Sequence, residues 1–221
     1  PVVPAYLEDG SYNFSFPGNL LDTSQNPVAN AKENDNTRPQ LNLTVSGNIV
    51  LNFTQWLKLT SNMSLAYLGM QRHSYVDQEF GAGLSVGGSL VERDVHRTKI
   101  ANTTMLMFNK SFDGKHFVDV SAGFEIEDLT YKFRQGEVVS FLNNDKNNFS
   151  NGSVIKSLEG GGYSHSQFSI ISQASYNYRA KYYVAATFRQ DKSSRFSKDN
   201  RTGNFWSASG SWRISSEPFF N

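Results

Sequence analysis

Chemically reactive side chains are few in this sequence and are scattered along it. The absence of cysteine excludes disulfides, thiolate metal sites and cysteine nucleophiles together. Ser153 and Lys156 match a Ser-x-x-Lys pattern, but no helix or companion motif accompanies them. The histidines lack the short spacings that zinc ligands need, so we expect no metal, no cofactor and no enzymatic activity. The four histidines are His73, His96, His116 and His165.

The composition favours an ordered protein rich in β-structure. Hydrophobic residues make up 38% of the 221 residues and charged residues 19%, whereas aromatic residues reach 14%. This abundance of rings excludes intrinsic disorder. No apolar run approaches the roughly 18 residues of a transmembrane helix, but a transmembrane β-barrel stays possible because its strands alternate. The formal net charge of +1 gives no electrostatic reason to expect nucleic acid as a partner.

The chain divides at residue 40 into a loop-rich segment, 1–39, and a strand-rich segment, 40–221. The first segment holds five of the six prolines, which predicts loops and turns. From Gln40 to Phe53 apolar side chains occupy the odd positions and polar ones nearly all the even positions, as in a strand with one apolar face. Similar patterns predict an all-β, antiparallel up-and-down meander of about seven long strands. The predicted strands are 40–53, 57–70, 97–109, 116–127, 167–178, 182–190 and 205–215.

The connections between these strands alternate between short and long. Short turns are predicted at Thr54–Trp56, Ser111–Lys115 and Arg179–Lys181. Long polar connections are predicted at 71–92, 128–166 and 190–204, and we expect the first two to be the least ordered or most exposed parts of the chain. In a meander all short turns share one end of the sheet. This asymmetry is typical of outer-membrane β-barrels.

Aromatic residues gather near the strand ends, which is typical of the girdles at the two membrane interfaces. Most are predicted near the short turns and Trp206 at the opposite end. The predicted interface aromatics are Phe53, Trp56, Tyr176, Tyr178, Tyr182, Trp206 and Trp212. Aromatic pairs also occur in the hairpins of soluble proteins, so a soluble all-β carbohydrate-binding or adhesion module is the alternative interpretation.

The C-terminal third contains a run of motifs that resembles SusC/RagA-type TonB-dependent transporters. A tyrosine-rich turn at 176–183 precedes Arg189-x-Asp191-x-Ser193-Ser194-x-Phe196, an Asn/Gly/Phe stretch at 200–205, and Gly-Trp within 209–213. Residues 26–29 and 114–116 also look like that family. Trp206 departs from the pattern, since proline would be expected there.

The resemblance implies a segment of a nutrient importer in the outer membrane of Bacteroidetes. Such transporters form a 22-stranded barrel around an N-terminal plug and pair with a SusD-like lipoprotein. Seven strands are about a third of that barrel, so we expect a barrel fragment from which the plug is absent. The partners implied are outer-membrane lipid, an oligosaccharide or peptide substrate and, for the full-length protein, the SusD-like lipoprotein and TonB.

The motif around Arg189 admits two interpretations. With Asp191, Ser193, Ser194 and Phe196, it lies where the sixth predicted strand passes into a loop. It could line the lumen and contact substrate, or it could be a structural clasp that holds the loop. In the clasp the aspartate would hydrogen-bond to the backbone and the arginine would pair with the aspartate. We favour the clasp.

Period-two alternation also predicts which side chains share a face of the sheet. One set is expected to face lipid, because arginine or lysine at the bilayer midplane costs roughly 2–4 kcal/mol. This set is Leu57, Leu59, Met63, Leu65, Val184, Ala186, Phe188, Ala208 and Ile214. The set expected to face the lumen is Lys58, Thr60, Asn62, Thr187, Arg189, Ser209 and Arg213.

Overall fold

A computed structural model describes residues 4–14, 26–79, 81–143 and 148–220. One α-helix, α1 (Pro27–Glu33), and eight β-strands account for most of this part of the chain. The strands are β1 (Asp35–Thr37), β2 (Gln40–Asn52), β3 (Leu57–Val76), β4 (Ser89–Phe112), β5 (His116–Phe141), β6 (Gly152–Tyr178), β7 (Tyr182–Ser193) and β8 (Thr202–Trp212). No helix in these described ranges is long and apolar enough to cross a membrane.

The strands form one antiparallel sheet in meander order. The order is β1-β3-β4-β5-β6-β7-β8, with β2 also paired to β3. This confirms the predicted fold class. All seven predicted strands are present, but β3 to β6 run 20 to 27 residues, well beyond the predicted ranges. Only about 9–11 residues of a strand cross a bilayer. Beyond that span the apolar residues need not stay on one face. In β5 they move from the even positions Phe124 and Ile126 to the odd positions Leu129, Tyr131 and Phe133, so a prediction that follows one apolar face ends the strand too early.

Two compact units divide the described residues. The first comprises residues from 1–42, 68–96 and 131–162, and the second comprises residues from 43–67, 97–130 and 163–221.

A short helix and strand begin the sheet in the first unit, where the sequence predicts only loops and turns. The Asn26 side chain caps α1 by accepting hydrogen bonds from the backbone N–H groups of Val28 and Ala29. Its Nδ2 donates to the backbone oxygens of Ala5 and Asn13 at 2.6 and 3.0 Å. Asn26 is thus fully satisfied although it is 1% exposed, and Pro27 suits the first helical position. The prediction of loops relied on the number of prolines in this segment. That number does not show that Asn26 caps a helix.

The first unit also holds the clearest buried cluster. Tyr75, Leu90, Val138 and Phe141 are buried together with Phe149 packed against them. The rings of Tyr75 and Phe141 meet edge to face at 5.2 Å. The prediction that 71–92 and 128–166 are the least ordered or most exposed parts of the chain is therefore wrong for the strand ends that form this cluster. It agrees with the exposure of Leu142, Ile155 and Leu158, which are 65 to 77% exposed. These stretches contain strand ends whose scattered apolar residues converge only when neighbouring strands pair.

The second unit consists of three hairpins and β8. The β6–β7 ladder runs from Gln167 opposite Ser193 to Tyr178 opposite Tyr182. The turn between them places Arg179 and Ala180 at positive φ, 53° and 50°. Asp113 and Gly114 adopt the same left-handed region between β4 and β5, as Asp-Gly hairpin turns do. Two of the predicted short turns therefore have the geometry of two-residue hairpins.

One face of the second unit is apolar and uncovered. Nine of its large apolar side chains are between 38 and 79% exposed: Leu43, Val45, Ile49, Met63, Phe124, Ile126, Val184, Phe188 and Trp206. Three polar side chains interrupt this face and satisfy one another. Ser61 Oγ lies 2.9 Å from Thr104 Oγ1, and Asn102 Nδ2 donates to Ser61 Oγ at 3.0 Å.

The register in β7 and β8 agrees with the predicted division of faces. Ala186 lies opposite Ala208, and Thr187 lies opposite Ser207 on the other face, where their hydroxyls are 2.6 Å apart. The predicted end of the last strand is wrong. β8 ends at Trp212, and Ile214 begins a 3₁₀-helix, so Arg213 and Ile214 do not continue the alternation.

Candidate functional site

The family-like motif begins inside β7, because this strand continues to Ser193 instead of ending at residue 190. Strand alternation therefore places Arg189, Asp191 and Ser193 on one face. Arg189 Nε donates to Asp191 Oδ1 at 2.7 Å. Its Nη2 lies 3.2 Å from Glu125 Oε1 and 3.1 Å from Ser169 Oγ. The guanidinium thus joins three neighbouring strands, β5, β6 and β7, on the polar face.

The second half of the motif fastens the connection between β7 and β8. Ser194 donates its backbone N–H to the Ser166 oxygen at 2.9 Å, and the Ser166 N–H donates to Ser194 Oγ at 2.9 Å. The Ser193 N–H donates to the Arg201 oxygen at 2.9 Å. Arg201 Nε in turn donates to the Phe196 backbone oxygen at 3.1 Å. These reciprocal bonds hold both ends of the loop against the strands.

A cleft lies on the polar face beside this loop, and we call it the polar cleft. Its volume is about 610 Å³, within the usual range of ligand sites, roughly 300–1,000 Å³. Strands β5 to β8 form its floor and residues 195–201 contribute its rim. The charged and aromatic side chains that line it are Glu127, His165, Asp191, Arg195, Phe196, Arg201 and Phe205.

The charges of the polar cleft are unevenly paired. Glu127 Oε2 is bound by Lys99 Nζ at 2.9 Å, and Asp191 is bound by Arg189. Arg195 Nη2 lies 3.1 Å from His165 Nε2. Within the described part of the chain, neither Arg195 nor Arg201 has a carboxylate within ion-pair distance. The cleft therefore presents two guanidinium groups without a countercharge.

The predicted interface aromatics take two positions on the strands. Trp56 packs edge to face on Phe108 at 5.3 Å near the first short turn, where Phe53 is also exposed. Tyr182 stacks between Tyr178 and Trp212, with ring centroids 6.4 Å apart on each side. The Tyr176 hydroxyl lies 2.7 Å from His116 Nδ1. Trp206 stands six residues from Trp212 on β8 and is 79% exposed.

Glu217 forms a further cluster beside these rings. Its carboxylate is 9% exposed and accepts hydrogen bonds from Tyr182 Oη at 2.6 Å and Trp212 Nε1 at 2.9 Å. Lys181 Nζ completes the cluster with an ion pair to the same carboxylate. The hydrogen bond from Lys181, followed by that from Tyr182, lowers the pKa of Glu217 to about 2.

Several of these groups were not singled out by the sequence. Glu125 and Ser169 bind Arg189, and Glu217 joins Lys181 to the aromatic rings. Period-two alternation identifies Glu125 and Arg189 as residues of polar faces. Alternation does not predict that a side chain of β7 reaches one of β5 across β6, because that contact depends on the register of the three strands.

Three of the four histidines contact different residues. His73 lies 3.2 Å from Glu92 and 3.9 Å from Asp35, while His116 and His165 contact Tyr176 and Arg195. No group of three or more His, Asp or Glu residues suited to a metal ion occurs among the residues that the structure describes.

Comparisons with known proteins find relatives among TonB-dependent receptors. No family model matches. The chain is 27% identical over 199 residues to TonB-dependent receptor P39 of Formosa agariphila, covering 88% of this chain and 19% of the relative. It is 25% identical over 221 residues to TonB-dependent receptor P3 of the same organism, covering 99% and 22%. The chain thus spans about a fifth of the length of these curated relatives.

Several solved structures share the fold. The RagAB peptide transporter matches with a TM-score of 0.83 and 18% identity over 97% of this chain and 24% of the other. The RagAB peptide importer in its 'closed-closed' state matches with a TM-score of 0.78 and 19% identity, over 86% and 22%.

These findings define the sheet as a wall segment of an outer-membrane β-barrel. The resemblance to SusC/RagA-type TonB-dependent transporters is confirmed, as is the predicted outer-membrane location.

Proposed function

We propose that this chain forms part of the barrel wall of a TonB-dependent transporter that imports nutrients across the outer membrane. The observation that carries the proposal is the uncovered apolar face of the second unit, opposite a face of paired charges and hydroxyls. A soluble module would leave this apolar surface in water, whereas lipid covers it at no such cost. The similarity to proteins named TonB-dependent receptors supports the same conclusion.

The charged network supports the orientation of the sheet in the barrel. Arg189, Glu125 and Asp191 share the face opposite Phe188. Charged groups on the lipid side are costly at the bilayer midplane, so this face is proposed to line the lumen. The apolar face then contacts lipid. Trp206 would lie at one interface and the remaining aromatic residues at the other: Phe53, Trp56, Tyr176, Tyr178, Tyr182 and Trp212.

The motif from Arg189 to Phe196 is proposed to act as a structural clasp. Arg189 ties β7 to β5 and β6, and Ser194 ties the following loop to β6. The Arg189–Asp191 pair is as expected for a clasp, but the bonds that fasten the loop to backbone groups come from Ser193 and Ser194 instead of from Asp191.

The full-length transporter is proposed to work with a SusD-like lipoprotein and TonB and to carry an oligosaccharide or a peptide. The wall guides its substrate without chemical conversion and needs no cofactor. The similarity to structures titled as the RagAB peptide transporter supports a transport role.

Nutrient uptake by cells tests this proposal. A strain that lacks the gene for the full-length protein is compared with its parent on defined oligosaccharides and peptides as sole carbon sources. Loss of growth on one nutrient, restored by a plasmid copy, is the expected result. The nutrient should also be recovered unchanged after incubation with the purified protein. Equal growth on every nutrient, or recovery of the protein in the soluble fraction, would contradict the proposal and favour a soluble binding or adhesion module.

A further inference from the structure

The polar cleft has features of a binding site that the clasp does not explain. Its floor belongs to the polar face of β5 to β8, because Glu127, Gln167 and Asp191 alternate with apolar-face residues on their strands. Under the proposed function this face lines the lumen, and the present inference rests on that proposal. A passing solute would therefore meet the cleft directly.

The electrostatics of the cleft favour an anion. Its two carboxylates are already bound, Glu127 by Lys99 and Asp191 by Arg189. Arg195 uses one N–H group to contact His165, and Arg201 donates one hydrogen bond to the Phe196 backbone oxygen. A guanidinium carries five N–H donors, so both side chains retain donors for a carboxylate or sulfate.

The remaining lining favours a sugar. Phe196 and Phe205 are 60 and 58% exposed at the cleft, and flat exposed rings suit the apolar face of a pyranose. Gln167 and Thr202 add an amide and a hydroxyl that match sugar hydroxyls. A peptide would also bring a terminal ammonium group, and both carboxylates that could receive it are occupied.

We infer that the polar cleft is a subsite for an anionic oligosaccharide, one that bears carboxylate or sulfate groups. Arg195 and Arg201 bind the anionic groups, and Phe196 and Phe205 contact the sugar rings. Negatively charged sugars would be drawn to the cleft through charge attraction that weakens as salt is added.

Calorimetric titration of the full-length transporter in detergent micelles tests the inference. The probes are an oligogalacturonate, a heparin-derived oligosaccharide, a neutral cello-oligosaccharide of the same length and an alanine tripeptide. At least one anionic sugar should bind more tightly than the neutral one, with an affinity that falls as salt rises. The two anionic probes distinguish carboxylate from sulfate.

Variants locate the binding in the cleft. The double variant R195Q/R201Q should lose about tenfold or more in affinity for the anionic sugar, since charge-assisted hydrogen bonds are lost. Phe205→Ala should weaken binding without changing the salt dependence. Lys198→Gln is the matched control, because it removes a charge from the same loop outside the cleft lining. It should bind as the wild type does.

Several results would overturn the inference. These are equal binding of neutral and anionic sugars, equal losses in K198Q and the double variant, or tighter binding of the tripeptide. A heat-dependent gel shift of each protein first reports whether its barrel has folded. A wild type that never folds in membranes refutes the proposed function. A folded wild type that binds neither anionic probe refutes only the subsite.

Discussion

At the scale of single residues, Glu217 makes a pH-dependent contribution to stability. Its pKa is lowered in the folded protein to about 2 from an ordinary value of 4.5. A carboxylate whose pKa is lower in the folded state stabilises the protein fully at pH values above its unfolded pKa. This contribution is lost as the pH falls through its folded pKa. We expect Glu217→Gln to lower stability at pH 7 and to remove the part of the acid sensitivity that arises between those two values.

Urea unfolding of the full-length protein in micelles, followed across this pH window, checks that expectation. Asp199→Asn removes an exposed carboxylate from another loop and should preserve the acid sensitivity of the wild type. If E217Q and the wild type lose stability in parallel as pH falls, Glu217 is not the group responsible.

Arg189 offers a second test at this scale. Arg189→Met would leave Glu125 and Asp191 near each other without their shared cation. Because the side chain is 37% exposed, solvent screens the loss, and we expect only about 1 kcal/mol in the free energy of unfolding. Arg179→Met, on the exposed turn, should cost less. Equal unfolding midpoints for the two variants would show that the network contributes nothing measurable.

At the scale of elements, close strand pairing depends on glycine at one position of β5. A Cβ added to Gly123 would lie 2.0 Å from the Thr104 backbone oxygen and 2.6 Å from Met105 Sδ. A Cβ on Gly47 of β2 would meet nothing within 4 Å. Gly123→Ala should therefore destabilise by roughly 1–3 kcal/mol, and Gly47→Ala should change stability by less than about 0.5 kcal/mol.

Folding yield and urea midpoints of the two glycine variants provide the measurement. An alanine at Gly123 that folds as well as the alanine at Gly47 would mean that β4 and β5 separate easily. The backbones of β4 and β5 would then move apart enough to accommodate the added Cβ without a measurable loss of stability.

At the scale of the whole molecule, the two faces of the sheet should respond oppositely to charge. Leu59→Arg and Ala186→Arg place a cation on the lipid side. Near the bilayer midplane this destabilises the folded barrel by roughly 2–4 kcal/mol. Asn62→Arg and Ser209→Arg place it on the polar face and should be tolerated. The fraction of full-length protein that folds into lipid vesicles, read from the heat-dependent gel shift, distinguishes the pairs. Similar yields for both pairs would refute the membrane assignment.

The sequence by itself determined the strands and the division of their faces. Alternation from Gln40 onward and turn signals such as Asp113-Gly114 are local properties, and the sheet follows them. The same locality explains the errors at strand ends. The prediction followed one apolar face, whereas after residue 127 the apolar residues of β5 move to the other face. Strand continuation at 71–76 and 128–141 is established only by pairing with a neighbouring strand.

Only the tertiary structure decided which distant side chains meet. Arg189 was recognised from its motif, but its bonds to Glu125 and Ser169 depend on the register of three strands. The buried cluster around Tyr75 and Leu90 likewise joins residues from separate strands. The polar cleft arises in the same way, from β5 to β8 and the loop that follows β7. Side-chain period fixes a face within one strand, whereas register, set by backbone hydrogen bonds between strands, fixes the neighbours.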